Sequence, residues 1–211
     1  RDPQSEPPGT PIPNVADWTM AEVLRSPRFY LVSMSVLAPP FIGTTLFFHQ
    51  VYLTELRGWA LGQFAGSTPV LSIAAIAMTF ISGHLIDKYH SAVLLAVMLV
   101  FTAIANFALA LVPDAWAILV FMAFMGGAFG VYATVFGAIW PELYGTRHLG
   151  SIKSMVTSIM VLSTAVGPGL SGWLIDLGIS YPVMISVMAG YALLAAVCAI
   201  FIARVAGRRF A

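Results

Sequence analysis

The segment from Ala60 to Ile86 reads ALGQFAGSTPVLSIAAIAMTFISGHLI and contains no Asp, Glu, Lys or Arg. A helix of about 20 mostly apolar residues is long enough to cross the hydrocarbon core of a bilayer. A barrel strand would instead alternate apolar and polar residues, and this segment lacks that alternation. The segment therefore predicts a membrane-spanning helix, because a span must satisfy its own backbone hydrogen bonds.

Five further apolar stretches of similar length surround this one. Hydrophobic residues make up 59% of the 211 residues and charged residues only 9%, whereas about a quarter of a soluble domain is charged. The composition therefore predicts an all-α integral membrane protein with six transmembrane helices. The predicted spans are Phe29–Leu53, Ala60–Ile86, Ser91–Val112, Ala115–Trp140, Ile152–Ile175 and Pro182–Ala203.

The other segments flank a predicted transmembrane domain of residues 28–204. Residues 1–17 contain five prolines and few large apolar side chains, which predicts a flexible cytoplasmic linker. Residues 18–27 predict a short helix at the membrane surface, with Asp17 as its N-cap. Residues 205–211 predict a basic cytoplasmic tail.

An even number of spans places both termini on one side of the membrane. By the positive-inside rule, the side that holds nine of the ten basic residues is cytoplasmic. A bacterial plasma membrane is the expected location. The near balance of ten basic and nine acidic residues argues against a nucleic-acid partner. Arg57 is the one basic residue on the opposite side. The nine basic residues on the cytoplasmic side are Arg1, Arg25, Arg28, Lys88, Arg147, Lys153, Arg204, Arg208 and Arg209.

The sequence repeats a six-residue string at the ends of two spans. Ser82–Asp87 reads SGHLID at the end of the second span, and Ser171–Asp176 reads SGWLID at the end of the fifth. Both strings occupy the same place in a unit of three helices, and since three is odd the two units insert in opposite orientations. Inverted three-helix repeats are typical of secondary transporters.

Four motifs stand out, at residues 22–29, Gly83-x3-Asp87-Lys88, residues 141–150 and Gly167-Pro168-Gly169-x2-Gly172. Together they resemble the C-terminal half of a major facilitator superfamily transporter. At His90, Ser91 and Ala92 the sequence departs from the family's loop signature G-x-x-x-D-R-x-G-R-R, which argues against a complete charge relay in that loop. The overall pattern most resembles monocarboxylate and oxalate-formate type carriers. The four motifs resemble in turn the start of the family's seventh span, the loop signature, the loop between spans ten and eleven, and a bend in span eleven, the last carried by Gly167-Pro168-Gly169-x2-Gly172.

The resemblance implies a role for each helix of a triplet. The first helix lines the substrate path, the second contacts the other half of the carrier, and the third faces outward. Phe29–Leu53 and Ala115–Trp140 would then line the path. Pro39 and Pro40 remove two amide donors and predict a bend in the first lining helix, with a simple packing kink as the alternative.

The two lining helices hold the candidate substrate and coupling residues. Thr45, His49 and Gln50 lie near one end of the first. Histidine changes charge near neutral pH, so His49 is the candidate for proton coupling; an interfacial histidine bonded to a carbonyl is the alternative. Tyr132 and Phe136 could stack on or hydrogen-bond a solute, and helix packing is the alternative for them.

A conformational latch is predicted at the end of the second span, from Gly83, Asp87 and Lys88. Asp87 would accept hydrogen bonds from a helix N-terminus in the other half, where the helix dipole favours negative charge.

The sequence thus predicts secondary active transport of a small solute, such as an organic anion or monocarboxylate, by alternating access. The expected partners are protons and either an N-terminal six-helix half or a second copy of the chain. No span has a charged residue at its middle, so the counter-charge for a carboxylate would come from the other half or from His49.

Two other classes of protein are alternatives to a transporter. A non-transporting membrane scaffold or dimerising half-protein is the main alternative, and an intramembrane enzyme is the weaker one. No paired catalytic groups occur at useful spacing, and His84, His90 and His148 are predicted near the membrane surface. No catalytic residue, metal or cofactor is therefore expected.

Overall fold

The computed structural model describes the backbone of residues 17–207 and the side chains of residues 17–200. Within this part of the chain every regular element is a helix, and six helices are long and apolar enough to cross a membrane. The prediction of an all-helical protein with six spans is confirmed. Most of the predicted linker and the end of the predicted basic tail lie outside the described residues. The helices are α1 (Met20–Arg25), α2 (Pro27–Phe48), α3 (Gln50–Arg57), α4 (Leu61–Ile86), α5 (Ser91–Leu111), α6 (Ala117–Tyr144), α7 (Leu149–Asp176) and α8 (Tyr181–Gly207).

The short helix α1 is capped by Thr19, so the prediction of Asp17 as its N-cap is wrong. The Glu22 carboxylate accepts hydrogen bonds from the Thr19 amide and hydroxyl, both at 2.7 Å, which completes a capping box. These hydrogen bonds hold the pKa of Glu22 below its ordinary value. Asp17 instead accepts hydrogen bonds from the amides of Thr146 and Arg147, at 3.1 and 3.2 Å. It therefore binds the loop between α6 and α7.

The first span is shorter than predicted, because the helix is interrupted at His49. This residue has φ −96° and ψ 17°, and it separates α2 from α3. The predicted single helix Phe29–Leu53 is therefore divided in two. The second piece, QVYLTELR, is amphipathic and carries two charges, so it suits the membrane surface rather than the hydrocarbon core. α2 itself continues as a helix through Pro39 and Pro40, and the predicted bend there stays a prediction.

Glycines allow α6 to pack closely on α4. A Cβ atom on Gly126 would overlap the carbonyl oxygen of Leu71, and one on Gly130 would overlap that of Ala75. α6 also packs on α5, which in turn packs on α8, so these four helices form one block. α7 contacts the rest of the domain mainly through α2.

The least buried spans are α4 and α7, the second helices of the two triplets. Within the apolar 18-residue stretch of each span, only 6% of the residues of α4 and 11% of those of α7 are buried. The corresponding shares are 61% for α2 and 56% for both α5 and α6. Much of the surface of α4 and much of that of α7 is therefore uncovered by the rest of the described chain.

Both ends of α5 are held by side chains from other helices. The Arg57 guanidinium of α3 donates to the Ala110 carbonyl at 2.6 Å, where the negative end of the helix dipole favours a cation. At the other end the Glu142 carboxylate of α6 accepts the Ser91 amide at 3.1 Å and lies 3.0 Å from Nδ1 of His90. α5 is thus fixed near both membrane surfaces.

Candidate solute cavity

An open cavity of about 600 Å³ lies between α2 and α6. These are the first helices of the two triplets, the pair that the resemblance implies as the lining of the solute path. The lining positions follow helical spacing, mostly three or four residues apart. They are Pro40, Thr44, Phe47 and Phe48 on α2 and Phe129 and Tyr132 on α6.

The cavity lining is aromatic and uncharged. Three phenylalanine rings offer apolar faces, and the hydroxyls of Thr44 and Tyr132 offer polar groups. The Tyr132 hydroxyl donates to the sulfur of Met160 on α7 at 2.9 Å. Because a thioether sulfur is a weak acceptor, an oxygen atom of a solute can compete for this hydroxyl. The lining suits a small solute that combines an apolar part with hydrogen-bond acceptors.

The last four aromatic residues of α6 form two groups. Tyr132 and Phe136 are half-buried, with ring centroids 5.5 Å apart, and only Tyr132 of the two lines the cavity. Trp140 and Tyr144 are buried and contact the ring of Phe29 near the start of α2. The second group therefore serves to pack α6 against α2.

Thr45 and His49 lie at the contact of α2 with α7 and α8 rather than in the cavity. Thr45 is fully buried, and a Cβ atom on Gly167 would lie 2.5 Å from its hydroxyl oxygen, so Gly167 permits a close approach of the two helices. The His49 ring contacts that of Tyr181, with centroids 5.6 Å apart, and its Nε2 faces Gly172. The roles predicted for Thr45 and His49 stay predictions.

The remaining candidates are spread over other parts of the domain. Gln50 begins α3 and is half-buried, whereas Pro39 and Pro168 are buried inside α2 and α7. The structure therefore places Gly167 beside Thr45, and brings only Pro40 and Tyr132 of the predicted residues into the cavity.

The predicted latch residues lie at the end of α4. Asp87 is the C-cap of this helix and its side chain is exposed, as is that of Lys88. Gly83 is half-buried and has open space where a Cβ atom would be. The latch function stays a prediction.

Sequence reasoning missed Thr44, Phe47, Phe48 and Phe129. Positions 40, 44, 47 and 48 recur at helical spacing and so share one face of α2, but this spacing does not say whether that face meets lipid, protein or a cavity. The titratable candidate, His49, lies on a neighbouring face of the same helix.

Comparison with known proteins agrees with this architecture. The sequence model of the Major Facilitator Superfamily matches residues 31–210. A search of curated proteins finds no match. The family match covers well over half of the chain, including all or most of each of the six spans. Members of the family are transporters rather than enzymes. The chain therefore belongs to the Major Facilitator Superfamily and is an integral membrane protein of a family that carries small solutes across membranes.

Proposed function

We propose that the chain forms the C-terminal half of a secondary carrier that works by alternating access. The observation that carries this proposal is the open cavity between α2 and α6, the first helices of the two triplets. In carriers built from inverted repeats the solute binds near the bilayer midplane, where the repeats meet. Thr44 and Tyr132 would bind the solute from this half.

A second six-helix unit would cover the exposed surfaces of α4 and α7. The two outer helices, α5 and α8, expose no Ser or Thr among the described side chains, as expected next to lipid. α4 and α7 instead expose several hydroxyl side chains. Polar side chains promote helix association in a membrane, so this composition favours protein over lipid as the neighbour. The exposed residues are Thr68, Ser72 and Thr79 on α4 and Ser154, Thr157 and Ser158 on α7.

A small organic anion such as a monocarboxylate is the proposed solute. Its apolar part would contact the phenylalanine rings and its oxygen atoms would accept from the two hydroxyls. The described lining supplies no cation, so the second unit would supply the counter-charge, because an unpaired charge inside a membrane is costly. A panel of carboxylates and their amides would test this, since preferred uptake of the amides contradicts the proposal.

Tyr132→Phe is the test of the cavity as the solute site. The substitution keeps the aromatic ring and removes one hydrogen bond to the solute. One hydrogen bond contributes about 0.5–1.5 kcal/mol, so KM for uptake by the full-length carrier in proteoliposomes should rise about 2- to 10-fold. Tyr191→Phe is the matched control, because its hydroxyl donates to the Met34 carbonyl at 2.9 Å, outside the cavity. Equal KM values for both variants and the unchanged protein would mean that the solute binds elsewhere.

We further propose that His49 couples transport to protons. Its location at the interruption between α2 and α3, against Tyr181 of α8, supports this, since a charge change there can alter the contact between helices. For His49→Gln, uptake driven by an imposed pH gradient should fall at least about tenfold, or 1.4 kcal/mol, while solute exchange at equal pH is retained. His84→Gln, at an exposed position, is the control. Gradient-driven uptake at the unchanged rate in His49→Gln would exclude this role.

A further inference from the structure

A second cavity lies on another side of α2, between α2, α7 and α8. Its volume is about 460 Å³, within the range of roughly 300–1,000 Å³ that is usual for ligand pockets. Its lining includes Met34 and Leu37 on α2, Ser163 on α7, and Val187 and Tyr191 on α8. It shares no lining residue with the solute cavity. We call this second cavity the acyl groove.

The polar groups of the acyl groove are already bonded within the protein. The Tyr191 hydroxyl donates to the Met34 carbonyl at 2.9 Å, and the Ser163 hydroxyl donates to the Met160 carbonyl at 2.8 Å. No charged residue lines the groove. A buried water needs about two to four polar partners, so water is a poor occupant of this space. The lining therefore selects an apolar group.

The groove exists because α2 packs less extensively on α7 and α8 than α6 packs on α4 and α5. On α6, glycines bring the backbones together, whereas at the groove Tyr191 reaches across to α2. An unfilled space of this size would forfeit dispersion contacts on every wall. Occupation by hydrocarbon restores those contacts.

The position of the groove identifies the source of that hydrocarbon. Ser163 lies at the middle of α7 (Leu149–Asp176), so the groove is at the depth of the lipid tails and far from the head groups. Met34 and Val187 are 57% and 67% exposed, and they open the groove toward the outside of the helix bundle. We propose that the acyl groove binds one acyl chain of a bilayer phospholipid. This inference is independent of the identity of the solute.

Photolabelling of the full-length carrier tests the proposal. The probe is phosphatidylcholine in vesicles, with a diazirine near the end of one acyl chain. Peptides containing Ser163 should be labelled more strongly than the lipid-facing part of α5 around Ile104, which is 38% exposed. Val187→Trp and Met34→Trp would obstruct the mouth of the groove, and each should lower labelling at Ser163 at least about fivefold.

The matched control is Val183→Trp, on the same helix, with the native valine 55% exposed and outside the groove. Labelling at Ser163 should be unchanged in this variant. Even labelling along α5, α7 and α8, or the same labelling in Val187→Trp, Met34→Trp and Val183→Trp, would overturn the proposal. Solute uptake by the same samples reports separately on the proposed function.

Discussion

Gly126→Ala is expected to destabilise the domain enough to reduce the yield of folded protein. A methyl group there would overlap the carbonyl oxygen of Leu71 and lie 2.9 Å from its Cα. Both atoms belong to the backbone of α4, so no change of rotamer can relieve the overlap. Overpacking of this kind costs about 1–3 kcal/mol and occasionally more. Gly130→Ala should behave in the same way, because its Cβ would overlap the carbonyl oxygen of Ala75.

Gly137→Ala is the matched control for this prediction. It lies on the same helix, is exposed, and has no atom within 4 Å of the position that its Cβ would occupy. Alanine is about 1 kcal/mol better than glycine inside a helix, so this variant should be as stable as the unchanged protein or more so. The measurement is the Tm of the detergent-solubilised protein, followed by the monodisperse peak in gel filtration. A Tm for Gly126→Ala equal to that of Gly137→Ala would contradict close packing of α4 on α6.

Gly66→Trp is expected to reduce transport at least about tenfold, or 1.4 kcal/mol in activation free energy, if a second six-helix unit covers the exposed surfaces of α4 and α7. Within the described chain Gly66 is exposed and has open space around its Cβ position. A Cβ atom there would meet no other atom of this half within 4 Å, and a side chain at this position would point away from the neighbouring helices. An indole would conflict with a helix packed against α4, because close helix contacts in membranes depend on small residues.

Gly190→Trp separates an interface from a lipid-facing surface. Gly190 lies on α8, is equally exposed and is equally free of neighbours at its Cβ position, so a tryptophan there should contact lipid and preserve transport. Gly169→Trp on α7 is a second interface variant, since its surroundings are also open. The measurement is the initial rate of uptake, normalised to the amount of folded carrier. Equal rates for Gly66→Trp, Gly169→Trp and Gly190→Trp would show that no second unit covers these surfaces of α4 and α7.

The number and type of spans could be predicted because the membrane imposes one strong rule. A backbone in hydrocarbon must be helical, and its side chains must be apolar over the full thickness of the core. The end of the first span was less predictable. The residues after His49 continue the apolar pattern for one turn, and only the charges of Glu55 and Arg57 indicate that α3 belongs at the surface.

The lining of the solute cavity was harder to predict than the spans. Thr44 and Thr45 are adjacent and chemically identical, yet Thr44 lines the cavity and Thr45 is buried beside Gly167. Successive residues of a helix point about 100° apart, so the rotation of the helix about its axis decides which of them lines the cavity. That rotation depends on packing against α6, α7 and α8. In an apolar helix the sequence pattern does not reveal it, because lipid and protein accept the same side chains.

The hydrogen bonds of Asp17 give the leading segment of the chain a mechanical attachment. Asp17 holds the loop between α6 and α7, and the amide of Trp18 donates to the carbonyl of Tyr144 at 3.1 Å. A force applied to the chain before Asp17 would therefore act on the end of α6 before it acts on α2. The attachment is thus made to the end of α6, one of the two helices that line the cavity.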